Sequence, residues 1–407
     1  MPLTMHDVAQ AVGWVTAAIT IAAMGYMLVS IIAARAYGGM RRQPTTTYAP
    51  GVSVLKSLKG VDPEMMEAFR SHCRQEYAGE FELLFGVSSA GDPAVEAVNQ
   101  LWREFPQVKI RLIECPARLG ANGKVSTLAQ MLEMARYDYV VINDSDISVS
   151  PQYLQRVMAP FAPPSNPREA MRRPVGLVTA LYRGHAHGSL AGRFEALGIA
   201  TDFIPGVLVS RAVERGLRFG LGSTLAVSKM ALENAGGLLP LVDHLADDYE
   251  LGARIRAAGF RVELCSEVVE TAVPAYGWGG FFDHQLRWLR TVRAARPAGY
   301  SGLVFTHGLG WALLNLLASG LSPLSVWLLA LSFFLRLAQA MTVGAGVLRD
   351  WQVLAWLWLV PLRDLVAMGT WVAGFAGDSV VWRGERFVLE DGRLREAAGE
   401  PVGKWLG

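Results

Sequence analysis

Two carboxylates one residue apart, Asp144 and Asp146, close an apolar run at 139–143 (YVVIN). Flanking Ser145, they can share one hard divalent cation. Mg²⁺ takes one or two carboxylates and completes its shell with water and substrate phosphates. A cation held this way can neutralise a departing diphosphate. The plainer use of the same residues is a loop that caps the next helix. A second acidic pair, Asp247-Asp248, follows Gly236-Gly237 and Pro240 and precedes a helix-like stretch at 251–258. Adjacent acids there can simply stabilise a helix dipole, or one of them can take a proton from an acceptor hydroxyl. Lys124 opens a helix after the turn Gly120-Ala121-Asn122-Gly123, where free N–H groups and an ammonium would meet a phosphate. Further on, His284, Gln285, Arg287 and Trp288 open a basic stretch in which Arg287, Arg290, Arg293 and Arg296 recur every three residues. That spacing gathers them near one helical face. They suit anionic lipid headgroups or, at Arg287, a diphosphate. His185-Ala186-His187 has no third ligand near it and reads as a loop feature.

These residues need a scaffold, and the surrounding pattern supplies one. Runs at 51–58, 81–88, 108–113 and 139–143 read as strands, and 63–77, 93–105 and 124–135 read as the helices between them. Strand and helix in alternation predict a parallel sheet covered on both faces. Ligands bind such sheets beyond the carboxyl ends of the strands, where Asp92 and Asp144–Asp146 fall. No GxGxxG opens a helix after the first strand and no GxxxxGK[ST] is present, which disfavours dinucleotide and P-loop folds. CxxC and HExxH are also absent, and Cys73, Cys115 and Cys265 read as reduced, mostly buried thiols.

The 407 residues are 52% hydrophobic and only 18% charged, with net charge +2 and mean hydropathy +0.26. That balance argues against disorder, a disulfide scaffold and nucleic-acid binding by bulk charge, and makes a purely soluble protein improbable. Residues 11–34 hold no charge over 24 positions, enough at 1.5 Å each to cross a core about 30 Å thick. Met1 to Gln10 has no Lys or Arg, whereas Arg35, Arg41 and Arg42 follow the run. The positive-inside rule puts the following segment in the cytoplasm, and the missing basic n-region favours an uncleaved anchor over a signal peptide. A second zone, 301–335, lacks Asp, Glu, Lys and Arg over 35 residues and contains Pro323. Arg363-Asp364 interrupts the apolar stretches after it, which implies an interfacial helix, a re-entrant helix or a neutralised ion pair facing protein. A cytoplasmic tail would require two or four crossings after Ser301. The chain thus divides into an anchor and linker (1–49), a cytoplasmic catalytic domain (50–300), membrane helices (301–381) and a cytoplasmic tail (382–407).

The ordered set Asp92, Asp144-Ser145-Asp146, Asp248 and Arg287-Trp288 resembles the D, D, D, (Q/R)xxRW signature of the ceramide glucosyltransferase family. The segments 51–63, 91–94, 119–124, 175–178, 236–249 and 382–387 (WRGERF) are similar to family segments in family order. The resemblance covers about residues 50–300 and the tail motif. It implies an α/β fold of the GT-A type, with a nucleotide-sugar site and a mostly parallel central sheet beside membrane helices. Asp92 and Lys124 would contact the nucleotide, and Asp144 and Asp146 would hold Mg²⁺ or Mn²⁺ against a UDP diphosphate. Asp248 would be the base, and Arg287 and Trp288 would close over donor and acceptor. His284 stands at the first position of (Q/R)xxRW and Gln285 is displaced by one, so both are donor-site candidates. The segments 196–199, 219–224 and 284–293 resemble the bacterial hopanoid-biosynthesis branch, which implies N-acetylglucosamine transfer from UDP-GlcNAc to bacteriohopanetetrol at the bacterial inner membrane. Alternatives are a UDP-glucose:ceramide glucosyltransferase, a processive polysaccharide synthase and a non-catalytic membrane scaffold.

Overall fold

The structure is a computed structural model describing residues 5–40, 46–62, 64–382 and 385–396. Arg41, Arg42, part of the linker, Arg383-Gly384 of the tail motif and the end of the tail lie outside these. The four predicted strands form as β1 (Val52–Ser57), β2 (Phe81–Val87), β3 (Ile110–Glu114) and β4 (Tyr139–Ile142). They run parallel in the spatial order β3-β2-β1-β4. β1 and β2 are buried on both faces, which is why they read as nearly continuous apolar runs rather than alternating ones. The connecting helices Met65–Cys73, Ala94–Glu104 and Gly123–Met134 lie close to their predicted positions. The three cysteines are buried, as the sequence reading expects.

Beyond β4 the sheet becomes mixed. β5 (Ile147–Ser148), β6 (Val175–Ala186), β7 (Leu225–Ser228) and β8 (Arg261–Val273) complete the order β3-β2-β1-β4-β7-β6-β8-β5. β7 is antiparallel to both β4 and β6, β5 is antiparallel to β8, and β6 and β8 are parallel. His185 belongs to the end of β6 rather than to a loop. Strand order reverses between β1 and β4, and a sheet of this kind opens its ligand crevice at such a switch point.

Among the described residues, three helices are long and apolar enough to cross a membrane: Asp7–Met40, Leu190–Val213 and Pro323–Leu348. A bent pair, Pro297–Thr306 and Gly308–Ala318, makes a fourth span if taken as one. The helix Val360–Ala373 has 14 residues, short of the roughly 20 a span needs. Leu190–Val213 lies within 50–300, the stretch read from the sequence as the cytoplasmic domain. One hydrophobic core runs from the central sheet (Leu55, Val140) through Phe194 and Ile204 to Ala340, Val343 and Val347 of the membrane helices. Tyr37 at the end of the N-terminal helix donates to the carbonyls of Cys265 (2.8 Å) and Glu267 (3.2 Å) on β8.

Polar groups stitch the apolar helices together. Arg336 donates from Nε to both Asp364 oxygens (2.8 and 2.9 Å) and from Nη1 to the Thr201 carbonyl (2.6 Å), and it also pairs with Asp202. Arg363 reaches Asp202 at 3.3 Å and lies over the rings of Phe194 and Phe281. Arg363-Asp364 is therefore a neutralised pair facing protein, one of the three forms expected. The charged tail, expected as a plain cytoplasmic extension, instead forms an antiparallel sheet of β9 (Ser379–Trp382), β10 (Glu385–Glu390) and β11 (Arg393–Glu396). Arg336→Met would leave buried Asp364 without its main cation and half-buried Asp202 with Arg363 alone. The expected cost is about 3–5 kcal/mol, read as a lowered unfolding midpoint in detergent. An unchanged midpoint would contradict this account of the bundle.

Candidate active site

The segment Asp144–Asp146 leaves the carboxyl end of β4 beside β1 and is tied down on several sides. Asn143, buried, donates to the Tyr153 hydroxyl (2.9 Å) and to the Ser223 carbonyl (2.6 Å). Ser145 donates to Asp62, and the Thr271 hydroxyl of β8 donates to Asp146. From below, Lys56 of β1 donates to the Asp144 carbonyl at 2.8 Å. Lys56 is 1% exposed. Burial pushes its ammonium down to about 7, against the opposing pull of Asp146 and Asp144. Burial, and next the charge of Asp144, hold the Asp146 carboxyl above its usual range despite the Thr271 bond.

Lys124 joins the two acidic segments. The Asn122 side chain caps its helix through the Val125 N–H (3.1 Å), and Lys124 Nζ lies 2.7 Å from Asp144 and 3.5 Å from Asp247. Burial disfavours its charge, but Asp144 and then Asp247 outweigh that, so the ammonium is held above its usual value. Asp247 and Asp248 begin the helix Asp247–Ala257. Burial raises both carboxyls, Asp248 further through the charge of Asp247. Asp248 accepts from the N–H groups of Gly222 and Tyr249, each at 2.8 Å. A Cβ on Gly222 would lie 3.3 Å from Asp248 Oδ2 and 3.6 Å from Asp144 Oδ2. Gly222 therefore lies between the two carboxylates, and its missing side chain leaves the gap open.

The helix Trp278–Ala295 carries the basic stretch. His284 Nδ1 is 2.7 Å from buried Glu195, and its ring lies 5.1 Å from Trp288. Trp288 packs on Phe203, and Phe203 on Tyr182. Tyr182 sits within the fields of Asp248, Glu195, Asp144 and Asp146, so this aromatic row leads from the carboxylates toward His284. Arg287, half-buried, follows His284 by one turn. Gln285 faces elsewhere: it is buried and accepts from Arg363 Nη2 at 2.8 Å. Asp92 is engaged locally, accepting from Gly60 (3.0 and 3.1 Å) and from Ala94 (2.9 Å), and so caps the helix Ala94–Glu104 while fixing the turn after β1. Arg290, Arg293 and Arg296 of the stripe bind protein groups. Arg290 and Arg293 donate to carbonyls between Gly374 and Ser379, and Arg296 pairs with Glu214.

Comparison with known proteins decides the family. The pattern of glycosyl transferase family 21 matches residues 15–395. The chain belongs to that family. Ceramide glucosyltransferase 1 of Caenorhabditis elegans is 24% identical over 85% of this chain and 73% of its own length. Ceramide glucosyltransferase of Komagataella phaffii is 33% identical over 28% of this chain and 23% of its own length. Among solved structures, the mannosyltransferase PcManGT from Pyrobaculum calidifontis, in complex with GDP-Man and Mn²⁺, matches with TM-score 0.51 at 19% identity, covering 89% of this chain and 97% of that one. This family 21 chain is thus a glycosyltransferase of GT-A-type fold with membrane helices.

The sequence pointed to Asp144, Asp146, Lys124 and Asp248, which the structure gathers. It passed over Lys56, whose signal was a lone charge inside an apolar strand, and Glu195, which carried none. Gly222→Ala would crowd the gap between the carboxylates. We expect kcat/KM to fall roughly tenfold to a hundredfold with the unfolding midpoint retained; a variant as active as the parent would show that the gap is not used.

Proposed function

We propose that this family 21 enzyme transfers a sugar from a UDP-sugar to a hydroxyl of a membrane lipid, with inversion at the anomeric carbon. The observation that carries the reading is the placement of Asp248, with its carboxylate fixed by two backbone N–H groups and separated from Asp144 by the space over Gly222. A base there can face the sugar end of a donor whose diphosphate lies at Asp144. Its raised basicity suits proton removal from an alcohol. The acceptor oxygen forms the bond to C1 as its proton passes to Asp248, and the C1–oxygen bond to the diphosphate breaks on the opposite face. Lys124 supplies positive charge where the leaving diphosphate gains negative charge.

The residues fit a divalent cation completed by substrate. Among the described residues no group of three or more His, Cys, Asp or Glu forms a cage. Asp144 and Asp146 are close enough for the one to raise the other's pKa, a repulsion that a cation would relieve. They are the residues that would hold Mg²⁺ or Mn²⁺, and the ion would stabilise the departing diphosphate.

The named relatives favour glucose as the sugar and ceramide as the acceptor, since they are ceramide glucosyltransferases and one aligns over most of this chain. A second reading, GlcNAc transfer to bacteriohopanetetrol, draws on the three segments that resemble the hopanoid branch. Those segments include Gly222, which bonds Asp248, and His284, which faces Glu195 beside 196–199. Either acceptor is anchored in lipid, so a site joined to apolar helices by one core meets it at the interface. Arg35, Arg41 and Arg42 after the first span support a cytoplasmic catalytic domain; the inner membrane of a bacterium goes with the hopanoid reading.

Purified protein in lipid nanodiscs should be offered UDP-glucose and UDP-GlcNAc, each with ceramide and with bacteriohopanetetrol, and its products read by mass. Glucosylceramide supports the first reading and GlcNAc–hopanoid the second; no product from any pair contradicts both. Asp248→Asn is expected to lower kcat by about 10²–10⁴-fold while UDP still binds, and an active variant would remove Asp248 from the base role. Stripping divalent ions should abolish transfer, and Mg²⁺ or Mn²⁺ should restore it; full activity in chelator would rule out the metal's part.

A further inference from the structure

The small C-terminal sheet packs against three segments that lead to site residues. Phe387, Leu389 and Leu394 are buried with Val380 and Leu245, and Ala121, Ala294 and Trp382 pack against them. Ala121 precedes Lys124 by three residues, Leu245 precedes Asp247-Asp248, and Ala294 lies on the helix of Arg287 and Trp288.

Hydrogen bonds extend these contacts into a relay. Leu394 donates its N–H to the Asp243 carbonyl at 2.6 Å, and Arg393 bridges antiparallel to His244. β11 thereby adds a strand to the segment that enters Asp247. That segment in turn grips the one before Lys124. The Ala121 N–H donates to the Asp243 carboxylate (2.9 Å), Asn122 Nδ2 donates to the His244 carbonyl (2.7 Å), and the Asn122 N–H donates to the Val242 carbonyl (2.6 Å). Gly120 packs so closely that a Cβ would stand 2.6 Å from Val242. On the other side, Arg290 donates to the Ser379 carbonyl at 2.7 Å. Glu385 of β10 lies 3.7 Å from both Lys59 and Arg118. Neither 119–122 nor 242–246 belongs to a strand of the central sheet; they bond directly to each other, and β9–β11 brace that pairing from one side and tie it to the helix of Arg287 and Trp288.

We propose that β9–β11 position the donor site, with Phe387, Leu389 and Leu394 as positioning residues that hold the Lys124 and Asp247–Asp248 segments in register with each other and with the helix of Arg287 and Trp288. The proposal rests on the reading of those residues as the transfer site. A displacement of about 1 Å in such a site costs on the order of a hundredfold in rate, so a distant five-residue core can govern turnover.

Full-length Leu389→Ala, Leu394→Ala and the conservative Leu389→Ile, each in nanodiscs, test it. We measure kcat, donor KM, the unfolding midpoint and amide hydrogen exchange. Both alanine variants are expected to lose roughly tenfold to a hundredfold in kcat, mostly without a matching change in donor KM. Protection at 119–126 and 242–249 should fall together while β1–β4 keep theirs, and Leu389→Ile should retain activity. Parental kcat, with faster exchange confined to 379–396, would overturn the proposal. If the unmodified chain transfers no sugar, the functional reading fails. The exchange pattern still decides whether the two segments depend on the tail sheet, and independence would overturn the positioning role. Should one alanine variant fail to fold, the other carries the same comparison.

Discussion

Three charges buried among apolar helices, with half-buried Asp202 beside them, hold this molecule to its membrane portion. Arg336, Asp364, Asp202 and Arg363 come from three segments far apart in sequence, and each would be costly alone in a non-aqueous setting. Arg336 is the hub: it pairs with both carboxylates, and the Thr201 carbonyl and Gln339 take further donors from it. Arg363 also engages Gln285, three residues before Trp288. The helix that presents Arg287 and Trp288 is therefore attached directly to the membrane bundle. A soluble sheet and a set of membrane helices joined only by apolar contact could slide; directional, charged bonds at the seam resist that.

A second balance operates at the crevice. Asp144, Asp146, Asp247 and Asp248 converge at one end of the sheet, and Lys124 and buried Lys56 oppose them. Four carboxylates against two ammonium groups leave an excess of negative charge. On the proposed reading, a divalent cation arriving with the diphosphate would offset that excess. Gly222 keeps the space between Asp144 and Asp248 clear. Separate restraints hold the walls: strand ends for Asp144, a capped helix for Lys124 and paired loop segments for Asp248. The site is thus built by elements that meet only after the whole domain has folded.

Much of this was legible in the sequence where the physics is local. β1, β2 and β4 showed themselves because parallel strands buried on two faces are largely apolar, whereas the edge strand β3 is partly exposed and keeps Arg111 and Glu114. Asp144, Asp146 and Asp248 stood out by residue type at element boundaries. What stayed hidden depends on partners far along the chain. Leu190–Val213 carries Arg193, Glu195, Asp202 and Arg211, which disguise an apolar helix. Asp202 finds its arginine 134 residues later. Gln285 looked like part of the donor motif because its neighbours in sequence are, yet its partner is Arg363. The tail read as charged, although Phe387 and Leu389 stand two residues apart, at the period of a strand; their burial depends on Leu245 and Ala121.

The most direct test of the central claim is calorimetric titration of UDP into the purified chain, with and without Mn²⁺, alongside Asp144→Asn and Asp146→Asn. The account expects UDP to bind with Mn²⁺, to bind at least tenfold more weakly, roughly 1.4 kcal/mol, in chelator, and to lose its metal dependence in both variants. UDP binding of equal strength with and without metal, unchanged in the two variants, would contradict it.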